Sequence, residues 1–119
     1  MLDWTAGLEY RARRTGVPTF LVTPVRWMAT LRAGIHWDAL DQLRVTTPLG
    51  VPVLLFHGEA DRYAPFSVSE AFARGHPQEV TLARYATGDH VEAWNVDSRA
   101  YAETLERWFT EHGIVGARP

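Results

Sequence analysis

Hydrophobic and polar positions divide the chain into two parts that have different periodicities. In residues 1–45 the apolar positions recur loosely at helical spacing, and glycines interrupt them. This pattern predicts a helix that ends near Gly16 and a second helix over residues 24–33. The stretch DALDQL predicts one or two further turns, with Asp38 as their cap.

From residue 46 onward the pattern becomes that of strands separated by helices. VPVLLF, residues 51–56, is a continuous β-rich apolar run, which is typical of a strand buried on both faces. EVTLARY, residues 79–85, alternates apolar and polar positions and predicts a second strand.

A helix is predicted after each of these strands. Ser67 and Glu70 have the spacing of a capping box at the start of the first helix. Asp97 or Ser98 caps the second helix. The apolar positions of that second helix fall at helical spacing and predict a buried stripe of Tyr101, Ala102, Leu105, Trp108 and Phe109.

The order strand, helix, strand, helix predicts an α/β fold. A right-handed crossover would bring the two strands side by side and parallel. The chain is thus predicted to consist of a helical segment, residues 1–45, and a βαβα part, residues 46–119.

Composition narrows the class of protein further. The chain has 119 residues, 46% of them hydrophobic, which fits one packed domain. It lacks cysteine, and its formal net charge of −2 does not favour nucleic acid or an acidic membrane surface as a partner. No segment is predicted to span a membrane and no signal peptide is predicted, so we expect a cytoplasmic protein.

Two titratable residues follow the two predicted strands. Asp61 lies beyond the first strand and His90 beyond the second. Functional groups of parallel sheets collect beyond the carboxyl ends of the strands, and neighbouring strands lie about 5 Å apart. We therefore expect the two side chains to meet at hydrogen-bond distance. A carboxylate in that position fixes the tautomer of an imidazole that acts as a general base.

Two other interpretations of these residues stay open. Asp61 and His90 would be solvated loop residues if the loops diverge. With His57 they would also supply two imidazoles and a carboxylate, the donor set of some zinc or iron sites, although the linear spacing matches no metal motif. For His57 itself, at the end of the strand, we expect a structural role.

The motifs HGEADRYAP, residues 57–65, and ATGDHVEAW, residues 86–94, resemble the C-terminal part of the α/β-hydrolase fold. In that family, an Asp after the penultimate strand is the triad acid and a His after the last strand is the base. The resemblance implies these roles for Asp61 and His90. It also implies a partial α/β-hydrolase fold with a helical lid over residues 1–45, an ester or amide substrate, and no cofactor or metal. Lipases, esterases and serine aminopeptidases are the members that the chain resembles.

The family's nucleophile elbow, Gly-x-Ser-x-Gly, does not occur in this sequence. The three serines, Ser67, Ser69 and Ser98, lie where helices are predicted to begin, and none stands between glycines. We therefore expect the chain to be the acid/base half of a serine hydrolase, encoded by a truncated, split or incomplete gene and inactive alone.

A non-catalytic binding or assembly module is the alternative function. A two-stranded sheet leaves an edge uncovered, so the chain would pair with a separate N-terminal half or with itself, and we expect marginal stability. Among the neighbours of the dyad, we expect Asp89 to be solvated or bonded to backbone, and Trp94 to pack in the core or to cover the site. For Trp4, Trp27 and Trp37 of the presumed lid we expect ordinary helix packing, and the alternative is that they are exposed and line a substrate pocket.

Overall fold

A computed structural model describes residues 2–114 of the chain, and these form seven main elements around a small parallel sheet. They are helix α1 (Trp4–Arg14), helix α2 (Val22–Ala33), strand β1 (Val53–Gly58), helix α3 (Phe66–Gly75), strand β2 (Val80–Tyr85), helix α4 (Ala93–Val96) and helix α5 (Ser98–Glu111). Short 3-10 turns cover Thr19–Leu21, Trp37–Leu40 and Gln42–Arg44.

The predicted N-terminal helices are confirmed. Asp3 caps α1 by accepting from the backbone N–H of Ala6 at 2.9 Å. Gly34, in the left-handed conformation with φ of 65°, ends α2. The predicted cap at Asp38 is wrong, because Asp38 lies inside a 3-10 turn. Asp41 has the extended backbone between the two turns and accepts from Leu43 N at 3.1 Å.

The two predicted strands pair in parallel, and α3 lies in the connection between them. Their register runs from Val53 opposite Val80 to Gly58 opposite Tyr85. The expectation that β1 is buried on both faces is wrong, since residues 53–57 are only half-buried. Within residues 2–114, β1 has β2 as its single neighbour, so solvent reaches much of its surface.

The capping box predicted for α3 does not form. Pro65 occupies the N-cap and offers no side-chain hydrogen bond, because the helix begins at Phe66 and Ser67 already lies within its first turn. Glu70 instead pairs with Arg74 one turn later. The hydroxyl of Ser69 is hydrogen-bonded to His57, at the end of β1.

Helix α5 begins where the sequence predicts, but within its predicted buried stripe only Trp108 is buried and the other four residues are half-buried. The carboxylate of Asp97 caps it by accepting from Ala100 N at 2.8 Å. Trp108 is buried, and the Tyr101 ring stacks on Phe56 of β1 with their centroids 4.0 Å apart. These aromatic contacts hold α5 and the sheet together.

The molecule is extended for its length. Its radius of gyration is 17.0 Å, whereas a compact domain of this length has about 13 Å. No side chain of the described residues falls below 2% exposure. Across residues 2–114, no helix has both the length and the apolar character needed to cross a membrane.

Candidate active site

Two loops meet above the carboxyl ends of the strands. The Asp61 loop, residues 59–65, follows β1, and the His90 loop, residues 86–92, follows β2. A side chain at Gly58 would collide with the backbone carbonyl of Gly88. The absence of a Cβ at Gly58 therefore allows the two loops to approach closely.

The convergence predicted for Asp61 and His90 is present in the structure. His90 Nδ1 lies 2.8 Å from Asp61 Oδ2. The carboxylate is buried, with 4% of the side chain exposed, whereas the imidazole is 49% exposed. This arrangement places a shielded acid behind a base that solvent can reach.

The Asp61 carboxylate receives donors on both of its oxygens. Its Oδ1 accepts from the backbone N–H groups of Tyr63 at 2.7 Å and Ala64 at 2.8 Å. Burial of the carboxyl acts to raise the pKa of Asp61, but the hydrogen bonds from His90, Ala64 and Tyr63 outweigh burial and lower that pKa. A carboxylate can only accept, so His90 Nδ1 carries a proton, and in the neutral imidazole the lone pair is then on Nε2.

A second imidazole supports the same carboxylate from below. His57 Nε2 lies 3.3 Å from Asp61 Oδ2 and 3.2 Å from the carbonyl oxygen of Ala64. Because both neighbours are acceptors, Nε2 carries the proton, and the Ser69 hydroxyl donates to Nδ1 at 2.5 Å.

Ser69, His57 and Asp61 thus lie in a row, serine beside histidine beside aspartate, as the residues of a catalytic triad do. Ser69 is buried, the side chain of His57 is 9% exposed, and the first turns of α3 hold the serine against the ring. A substrate has no access to this hydroxyl. The row therefore fits the structural role expected for His57, and it explains why Ser69 does not serve as a helix cap.

Asp89 joins the two loops. Its carboxylate accepts from the backbone N–H groups of Arg62 and His90, each at 2.8 Å, and pairs with the Arg62 guanidinium. The backbone N–H of Arg62 contributes most to lowering the pKa of Asp89 to about 2. The backbone bonding was predicted from the sequence, but the ion pair with Arg62 was not.

Residues of α1 also hold the Asp61 loop, and they were not among the residues predicted from the sequence. The hydroxyl of Tyr10 donates to the backbone carbonyl of Asp61 at 2.8 Å. The Arg11 guanidinium lies 5.5 Å from the centre of the Tyr63 ring, which in turn lies 5.4 Å from the His90 ring. The bond from Tyr10 bridges 51 residues of chain, and no local pattern indicates it.

A cavity of about 460 Å³ opens beside the dyad, lined by apolar groups of β1, the His90 loop and α5. Trp94 forms part of its wall and meets the Tyr101 ring edge-on at 5.5 Å. Its exposed position means that it does not pack in the core. Val91, next to the base, has φ of 60°, a conformation that is strained for a β-branched residue.

The metal interpretation gains no geometric support. Among residues 2–114, no three His, Asp or Glu side chains are arranged to hold a metal ion. The nitrogens of His57 and His90 that face Asp61 both lie against its Oδ2, at 3.3 Å and 2.8 Å, so they do not converge on a common empty point.

Comparisons with known proteins give one likeness. No protein-family model matches the chain, and no curated protein matches it. Its fold is similar to that of an esterase from Pyrococcus furiosus, with a TM-score of 0.55 and 17% identity over 92% of this chain. The match covers 41% of the esterase, so the chain spans less than half of that protein's length. The likeness concerns the fold alone and is consistent with part of a hydrolase-like α/β fold.

Proposed function

We propose that Asp61 and His90 are the acid and base of a serine-hydrolase site that cleaves an ester bond. The observation that supports this most directly is the hydrogen bond of 2.8 Å from His90 Nδ1 to a buried, fully bonded carboxylate. It leaves Nε2 as the basic nitrogen at the edge of an apolar cavity.

In this proposal, Nε2 removes the proton of a nucleophilic hydroxyl as the hydroxyl attacks the ester carbonyl. The imidazolium that results is stabilised by the charge of Asp61, and Nε2 then returns the proton to the departing alkoxide. His57, Tyr10 and Asp89 act indirectly, by holding the two loops in place.

The nucleophile and the oxyanion donors are proposed to come from outside these 119 residues. Within the described residues no hydroxyl is hydrogen-bonded to His90 Nε2, and Ser69 is engaged by His57. Ser67 and Ser98 lie in the first turns of helices. We therefore expect the purified chain neither to react with a fluorophosphonate probe nor to hydrolyse a nitrophenyl ester above the buffer rate.

The test is to co-express the chain with the polypeptide encoded directly upstream of Met1. We expect a fluorophosphonate to label a serine of that polypeptide, and His90→Gln to abolish the labelling. His36→Gln is the matched control, since His36 is an exposed histidine outside the site. Labelling that survives His90→Gln, or ester cleavage by the isolated chain that His90→Gln abolishes, would contradict the proposal.

The free edge of β1 favours a second candidate, an assembly module. Val53 and Glu59 direct their N–H groups to carbonyls of Glu79 and Tyr85. Because successive residues of a strand alternate in direction, Leu54 and Phe56 present their N–H groups at the opposite, unpaired edge. Any strand that paired there would extend the sheet next to the dyad.

Proline at position 54 tests this candidate. Leu54→Pro removes a donor at the free edge but no bond to β2, and edge strands tolerate proline. If the edge mediates assembly, this variant sediments as a monomer while the wild type forms a complex with itself or with the upstream polypeptide. A wild type that is monomeric and does not bind the upstream polypeptide would exclude the assembly module.

A further inference from the structure

In the described residues, the His90 ring is hydrogen-bonded at Nδ1 alone. Its backbone N–H is bonded to Asp89 and its Nδ1 lies 2.8 Å from Asp61 Oδ2, but about half of the side chain is exposed. The terminal torsion of a histidine side chain has no sharp preference. One hydrogen bond therefore leaves the ring room to swing, whereas a base must be held within about 0.5 Å of its working geometry. Such a ring needs a second restraint.

Tyr63 supplies a packing contact on this ring. The centres of the Tyr63 and His90 rings are 5.4 Å apart and their planes are inclined at 53°, a separation typical of favourable aromatic pairs. Tyr63 does not line the cavity beside the dyad, although His90 does. The contact therefore restrains the imidazole without occupying the space that is open to a substrate.

Tyr63 is an exposed residue, yet its position is fixed at two points. Its backbone N–H donates to Asp61 Oδ1 at 2.7 Å, so the loop and the His90 ring are bonded to the two oxygens of one carboxylate. The Arg11 guanidinium lies 5.5 Å from the centre of the tyrosine ring, within the range of a cation–π contact. Helix α1 thus holds the tyrosine ring through Arg11, while Tyr10, the preceding residue, holds the loop backbone.

We propose that Tyr63 is a positioning residue, which keeps the His90 imidazole in the orientation of its hydrogen bond to Asp61, and that Arg11 acts through Tyr63. The role in catalysis rests on the proposed hydrolase function, whereas the restraint of the ring does not. The contacts to His90 and Arg11 are made by the aromatic ring of Tyr63. Tyr63→Phe should therefore keep the restraint, and Tyr63→Ala should remove it.

Exchange of ring N–H protons with water tests the restraint, measured by NMR on the full chain with isotope-labelled histidine. The His90 Nδ1 proton should exchange about two- to tenfold faster in Tyr63→Ala than in the wild type, which is the factor that an aromatic pair contributes. Tyr63→Phe should restore the wild-type rate. The His57 Nε2 proton is the internal control, since His57 lies against the same carboxylate but packs on Phe66. A merely structural loosening of the loop would speed the exchange of both protons.

Arg11 is tested by the same measurement. Arg11→Ala should speed exchange of the His90 proton about two- to fivefold, and Arg11→Lys, which keeps a cation, should speed it less. Adding Arg11→Ala to Tyr63→Ala should have no further effect, because the arginine acts through the tyrosine. Arg14→Ala is the matched control, since Arg14 is an exposed arginine of the same helix, and we expect it to show the wild-type rate.

The catalytic consequence is measured in the complex with the upstream polypeptide. There, Tyr63→Ala should lower kcat for a nitrophenyl ester by the same factor and leave KM unchanged, because Tyr63 does not line the cavity. An unchanged His90 exchange rate in Tyr63→Ala, an equal rise for His57, or a raised KM at constant kcat would overturn the proposal. A complex without activity would refute the hydrolase function instead, and the exchange rates would still decide whether Tyr63 restrains the ring.

Discussion

Replacing Asp61 by alanine tests the geometry on which the dyad depends. The change leaves three donors without an acceptor, namely the N–H groups of Tyr63 and Ala64 and the ring N–H of His90. The ring N–H of His57 keeps the carbonyl oxygen of Ala64 at 3.2 Å. A buried donor without a partner costs about 1–3 kcal/mol. His90 can bond to water because it is half-exposed, so it contributes little to the loss. Assigning about 1 kcal/mol to each of the two backbone donors predicts a loss of about 2 kcal/mol.

Urea unfolding followed by circular dichroism measures this loss as a shift of the midpoint at constant slope. Asp61→Asn keeps the acceptor for both backbone donors and should cost less, about 1 kcal/mol. Asp38→Ala is the control, because Asp38 is exposed and its pair with Arg44 at 3.3 Å is worth less than about 1 kcal/mol. If Asp61→Ala is no more destabilising than Asp38→Ala, the Asp61 carboxylate is not the centre of a buried hydrogen-bond network.

Three further predictions concern the two loops. Tyr10→Phe removes the hydrogen bond to the Asp61 carbonyl and should lower the free energy of unfolding by about 1 kcal/mol. Tyr63→Phe should not lower it. Equal effects of the two substitutions would contradict the stabilising role of the Tyr10 hydroxyl. Val91→Asn should raise the melting temperature, since asparagine tolerates positive φ and the exposed valine loses little packing; an unchanged or lower value would show that no strain is relieved. The lowered pKa values of Asp61 and Asp89 mean that their stabilisation is complete above the unfolded-state pKa of about 3.9 and is lost as pH falls toward 2. Asp89→Asn should therefore flatten the acid limb of the stability curve, and an unchanged limb would contradict this.

The order of elements could be predicted because the hydrophobic period changes at clear points along the chain. The apolar run at 51–56 and the alternation at 79–85 each predict a strand, and the helical segment between them leaves parallel pairing as the natural result. Once the strands are parallel, the loops after them must share one edge of the sheet. Topology brings the Asp61 and His90 loops to the same edge but does not by itself make the two side chains meet, and the two loop motifs supported that expectation.

The errors concern side chains that have a choice of partners. The spacing of Ser67 and Glu70 is correct for a capping box, but with Pro65 as N-cap the helix begins two residues too early for Ser67 to cap it. Ser69 bonds to His57, a residue 12 positions away. Tyr10 is a similar case, because its partner is a backbone carbonyl in a distant loop. Local patterns cannot indicate such contacts, since they depend on which elements pack together.

The burial of β1 and α2 could not be predicted for a different reason. Periodicity indicates which face of an element is apolar, but it does not indicate whether the chain supplies a cover for that face. Residues 53–57 were predicted to belong to a strand buried on both faces, but in the structure they are half-buried. Trp27 was expected to take part in ordinary helix packing, and it is exposed.

The distribution of burial bears on whether the dyad has a function. Asp61 and Ser69 are each 3% exposed, whereas the best-buried hydrophobic side chains, Phe72 and Trp108, are 7% exposed. The deepest positions of the described residues are thus occupied by polar groups. Burial of a polar network gives little net stability, and replacement by apolar groups of the same shape is often neutral or favourable. Selection for stability alone would therefore favour leucine or phenylalanine at these positions. The cost of the network is offset if it fixes His90 Nδ1 against a carboxylate, which is the arrangement that a general base requires.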